Sequence, residues 1–106
     1  MTTRPLVELA KTIRSKNAGV DQITFDIVFR DRQTYELVKQ SRALSPEAVT
    51  RLYGIPRERL TAFVEFDPAL AIKFTIRRER PSGSPGERDV FGAQQYAPLF
   101  DFPIPV

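Results

Sequence analysis

Apolar residues recur early in the chain at Leu6, Leu9, Ala10 and Ile13, the i, i+3, i+4, i+7 spacing of one helix face. The spacing predicts a helix over residues 5–16, with Pro5 tolerated in its first turn because the missing N–H would be unpaired there anyway. Lys11, Arg14 and Lys16 then crowd the last turn, where the helix dipole favours cations, and Gly19 supplies a left-handed stop. The run ITFDIVF at 23–29 alternates instead: Ile23, Phe25, Ile27 and Phe29 share one face, with Thr24, Asp26 and Val28 on the other, which predicts a strand. Asp31 caps a helix through about Ser41 that buries Tyr35 and Val38. Ser45, Pro46 and Glu47 open a second short helix, which buries Ala48, Val49, Leu52 and Tyr53 and ends at Gly54.

Residues 60–66 and 70–77 read as an antiparallel hairpin joined at Asp67-Pro68-Ala69. In its second strand Leu70, Ile72, Phe74 and Ile76 alternate against Ala71, Lys73, Thr75 and Arg77. In its first, Ala62, Val64 and Phe66 lie opposite Phe63 and leave no obviously polar side, which points to an uncovered face and keeps self-association open. PSGSPG at 81–86 continues no element and makes a loop, and residues 93–96 are the best candidate for a helical turn in the stretch that follows. The tail alternates Phe100, Phe102 and Ile104, while Pro103 and Pro105 restrict it to an edge strand or an extended arm.

The order α, β, αα, β, β, loop, β predicts an α+β fold: a two-layer sandwich related to the ferredoxin-like pattern, with an antiparallel or mixed sheet of three to four strands and about three helices. The second crossover helix of that pattern is missing, and the first helix could cover its place. At 106 residues the chain suits one domain, 1–106, with a loop at 80–98 and an extended C-terminal segment at 99–106.

Cysteine and histidine are both absent, which excludes disulfides, thiolate nucleophiles, zinc fingers, iron–sulfur clusters and imidazole bases within the chain. No stretch is apolar enough for a signal peptide or a membrane span, so the expectation is a cytoplasmic protein. The net charge is +3, and the basic excess is interleaved with acids through the first 62 residues rather than gathered into a stripe, which speaks against nucleic acid.

Candidate chemistry is sparse. Arg77, Arg78 and Arg80 beside the Gly/Ser loop are anion-binding candidates, although the loop matches no phosphate-binding fingerprint. Lys73 lies mid-strand opposite the apolar face and either meets water or reaches an interface, where a desolvated amine could act as a base. Asp67, Asp89 and Asp101 carry no metal-ligand spacing, so no metal and no cofactor is expected. Gln94 and Gln95, set among Val90, Phe91, Tyr96 and Leu99, are hard to explain by folding needs and suggest a docking surface.

The runs IRSKNAG (13–19), LYGIP (52–56), LTAFVEFDPALAIKFTI (60–76) and SGSPGERDVFGAQQYAPL (82–99) together resemble a small bacterial family of unknown function of the DUF4387 type. Its members accompany, or are fused to, acyclic terpene utilisation AtuA-like proteins. The resemblance covers nearly the whole chain in the family's order; one departure is Tyr96, where many members carry histidine. It implies an accessory subunit that binds an AtuA-like large protein and is a candidate to complete its active site in acyl-CoA or organic-acid catabolism, without being catalytic alone. The matching positions it offers as ligand or interface residues are Arg14, Lys16, Asn17, Asp67, Lys73, Asp89, Gln94 and Gln95. The alternative is a free-standing, homo-oligomeric enzyme or binder of an acyl-CoA or carboxylate, using the arginine loop for anions and Asp67 or Lys73 for proton transfer. Under the subunit reading the alternating tail adds a strand to the partner's sheet, and its removal leaves the domain folded.

Overall fold

A computed structural model describes residues 2–78 and 97–106. The chain begins with a short strand β1 (Thr3–Pro5), a single helical turn α1 (Leu6–Leu9) and strand β2 (Ala10–Asn17). Then come β3 (Gln22–Phe29), helices α2 (Arg32–Ser41) and α3 (Pro46–Tyr53), and the hairpin β4 (Leu60–Phe66) and β5 (Ala71–Arg77). A last strand β6 (Pro103–Pro105) ends the chain. Four strands form an antiparallel sheet in the order β2-β3-β5-β4, and β1 pairs with β6 in a separate two-stranded sheet. The architecture is a two-layer α+β fold, as the order of elements implied.

The first predicted helix is corrected. Only its first turn is helical, and residues 10–17 are an edge strand paired with β3. The pairing runs Ala10 to Phe29, Thr12 to Val28 and Ile13 to Ile27, so Lys11 is an extra residue at a bulge. Residues three apart in a regular strand face opposite ways; one inserted residue returns Ala10 and Ile13 to the same face. The bulge thus reproduces the i, i+3 signature of a helix. Gly19 does take a left-handed conformation, at φ 91°, but in the turn between β2 and β3 rather than after a helix.

The ferredoxin-like relation is partial. β3, the helix pair and the β4–β5 hairpin reproduce a β-α-β-β unit, with the last strand inserted beside the first. The fourth position belongs to β2 from the N-terminal side, and β6 does not join this sheet.

The helices form where their caps permit. Asp31 accepts the backbone N–H of Thr34 at 2.8 Å, which holds its carboxyl below the usual range. Ser45 accepts from the N–H of Ala48 at 3.1 Å, a cap generally worth about 1 kcal/mol. α3 ends at Gly54, whose φ of 63° favours glycine. Both helices pack on the Phe25/Phe29/Phe74 face of the sheet. Tyr53 of α3 lies 5.3 Å from Phe25 between ring centroids, and Tyr35 of α2 lies 6.0 Å from Phe29. Burial raises the pKa of the Tyr53 hydroxyl.

The tail is an arm, but one folded onto its own domain. Leu99 and Ile104 are fully buried in the common core. Leu6 and Val7 donate backbone N–H groups to the carbonyls of Phe102 and Phe100 at 2.8 and 3.0 Å. Phe100 is exposed, whereas Ile104 points inward, so the segment is not a free strand waiting for a partner's sheet. This corrects the expectation that residues 99–106 are dispensable for folding.

Candidate functional site: the open face of the sheet

Strand register sets what the sheet shows on the face away from α2 and α3. One row across the strands reads Arg14, Asp26, Lys73, Val64. The next, toward the β2–β3 turn, reads Lys16, Thr24, Thr75, Ala62, and the one on the other side reads Thr12, Val28, Ala71, Phe66. Thr24 and Thr75 share a hydroxyl hydrogen bond at 3.1 Å, and Thr61 donates to the Gln22 side chain at 3.1 Å. Val64 and Phe66 stay 50% and 40% exposed.

Asp26 is the centre of this face. Its side chain is only 7% exposed, although it lies on the solvent side of the sheet. Arg14 donates from Nε to Asp26 Oδ2 at 3.2 Å, and Lys73 Nζ lies 3.8 Å from Oδ1. The two cations cover the carboxylate while remaining 63% and 43% exposed themselves. Lys73 also stands 5.6 Å from the Phe66 ring centroid, within cation–π range. An ion-paired, partly solvated ammonium suits recognition better than nucleophilic chemistry, which needs a desolvated amine.

The sequence-derived candidates separate into three groups. Arg14, Lys16 and Lys73 come together on the open face, with Arg77 at its end opposite Gln22. Asn17 and Arg78 meet at the edge of the sheet, where Arg78 donates to the Asn17 side chain at 2.6 Å. Asp67 lies elsewhere, on the turn between β4 and β5, and reaches α2. There it accepts from the Tyr35 hydroxyl and from Lys39 Nζ, the latter at 3.1 Å. Asp67 therefore fastens the hairpin to the helix and does not converge with Lys73. Arg80, Asp89, Gln94 and Gln95 lie outside the described residues, as do the 81–86 loop and the turn at 93–96. Sequence reasoning missed Asp26, whose signal was the lone charged residue in the central strand β3.

The Asp67 cluster has a pH consequence. The Tyr35 hydrogen bond first, then Lys39, holds the Asp67 carboxyl below its usual value, while burial first and Asp67 second raise the Tyr35 hydroxyl. A carboxyl lowered on folding stabilises the native state above its unfolded pKa of 3.8, and that contribution is lost as pH falls through the folded value. Asp67→Asn is expected to melt lower than the native chain at pH 7, with the gap closing below about pH 4. Thermal melts across pH 2–7 check it; a gap independent of pH would refute the role of the charge.

Two grooves lie away from this face. One of about 530 Å³ runs past Lys39, Arg42, Pro46, Phe63 and Glu65, and another of about 440 Å³ lies between α3 and the C-terminal segment at Leu52, Pro98 and Phe102. Asp101 and Phe102 border the second, but neither groove is lined, among the described residues, by a ligand, interface or anion-binding candidate named from the sequence. Among the described residues no three acidic side chains gather as metal ligands, and no helix is long and apolar enough to cross a membrane.

A family model described as Domain of unknown function (DUF4387) matches residues 6–103. No curated protein and no solved structure matches the chain.

Proposed function

The chain belongs to the DUF4387 family of unknown function, and from that premise we propose that it is a small cytoplasmic accessory subunit. Its partner is an AtuA-like large protein, and its work is to help complete that protein's site in acyl-CoA or organic-acid catabolism. The observation that carries this reading is the open sheet face. Exposed Val64 and Phe66 border a central charge row on a face away from both longer helices. Exposed apolar side chains beside a few fixed charges are the mixture that marks a surface for interaction with another molecule. Three of the positions offered by the family resemblance, Arg14, Lys16 and Lys73, fall together on it.

The free-standing enzyme gains less support, because Asp67 is held by Tyr35 and Lys39 and Lys73 is ion-paired with Asp26, which engages each candidate for proton transfer in a structural contact. The purified chain and a purified AtuA-like protein are expected to co-elute from a sizing column, and the chain alone is expected not to titrate with acyl-CoA. Separate elution at micromolar concentration, together with saturable acyl-CoA binding by the chain alone, would reverse the two readings.

A further inference from the structure

We infer that the open face seats an acidic segment of a different protein chain, one of whose carboxylates bridges Arg14 and Lys73 above Asp26. This rests on the subunit reading and adds the chemistry of its interface. The first observation is Asp26 itself. It is buried, yet among the described residues Oδ1 has no hydrogen-bond partner, because Arg14 reaches only Oδ2 and Lys73 stays 3.8 Å away. A buried acceptor left unmade is costly, and because the two cations lie over it, a segment laid across the row acts on it by holding Lys73 close above it.

The second observation is charge. Two cations over one carboxylate leave the row at +1, and Lys16 adds another positive charge one row away. In water that surplus is harmless, but beneath an interface an uncompensated charge is expensive. A carboxylate from the partner neutralises the row as it is covered.

The same observations select among occupants. A small anion would leave Ala62, Val64 and Phe66 wet. A second copy meeting face to face would set one net positive patch of Arg14, Lys16 and Lys73 against another, which like-charge repulsion opposes. RNA on a four-stranded sheet stacks its bases on aromatic side chains. Here the two central strands present Thr24, Asp26 and Val28 beside Ala71, Lys73 and Thr75, with no aromatic and a carboxylate in the middle.

The test measures affinity of the full chain for a purified AtuA-like protein, before and after Arg14→Glu and Lys73→Glu. Each reversal is expected to weaken binding by about thirty-fold or more. Arg51→Glu, on exposed helix α3, is expected to leave binding within about two-fold. Thermal melts confirm folding, and Arg14→Gln with Lys73→Gln replaces the reversals if those do not fold. Native binding that persists unchanged in the Arg14 and Lys73 variants overturns this inference and spares the subunit reading. Absence of native binding overturns both. Self-association, or retention of single-stranded RNA, that depends on Arg14 and Lys73 would assign the face to those occupants and overturn the inference.

Discussion

A chain truncated after Pro98 is expected to lose its cooperative unfolding transition. The last eight residues bring Leu99 and Ile104 into the core, both fully buried, and Phe102 packs against it. Deleting a buried Leu or Ile side chain costs about 2–5 kcal/mol, and two of them approach the whole stability of a typical domain, about 5–15 kcal/mol. The loss is not confined to side chains. β1 has β6 as its pairing partner, and Val106 donates to the Thr2 carbonyl at 3.0 Å, so truncation also strips the start of the chain of its hydrogen bonds. A milder variant grades the effect: Ile104→Ala should lower the melting temperature by roughly 10 °C or more. Circular dichroism melts decide it. A truncated chain that melts as sharply and as high as the native one would show that the tail is an appendage.

Phe74→Ala carries the second large effect. Phe74 stacks on Phe25 with centroids 4.6 Å apart and planes 14° from parallel. It also meets Phe63 at 6.3 Å and Tyr53 at 6.5 Å, joining three strands to α3. The substitution is expected to cost about 3–5 kcal/mol through lost transfer energy and the cavity left among rings that cannot collapse together. Phe66→Ala, the same chemical change on the open face, should cost no more than about 0.5–1 kcal/mol. Urea titrations of the two variants give the comparison directly. Equal destabilisation would mean that the open face is buried in the native protein, contrary to the exposure of Phe66 and Val64.

Much of this core was legible because period-2 alternation is hard to imitate. The inward sets Ile23, Phe25, Ile27, Phe29 and Leu70, Ile72, Phe74, Ile76 are read from residue order alone, and all are buried except Leu70, which sits in the turn before β5 in a left-handed conformation and is partly exposed. The caps at Asp31 and Ser45 were equally plain, since each places an oxygen where an orphan N–H must be satisfied. The failures came from degeneracy. A bulge at Lys11 made a strand look helical, and only its pairing with β3 separates the two readings. The tail showed its alternation but not its destination, because an edge strand matches its own domain and a partner's sheet by the same pattern. Site residues fared similarly. Lys73 could be placed on the outer face, whereas its meeting with Arg14 over Asp26 depends on register across three strands. Asp67 looked like a candidate acid and proves to be a fastening between turn and helix, a role set by Tyr35, 32 positions away in sequence.

As proposed, this small domain works by docking its open sheet face on a larger protein. Light scattering across a sizing column, run on the purified chain with a purified AtuA-like protein, tests it most directly. One peak is expected, with a mass that exceeds that of the large protein by a whole multiple of 12.1 kDa, and it should disappear when Arg14 and Lys73 are both reversed. Two separate peaks at native sequence, each of its own mass, would contradict it.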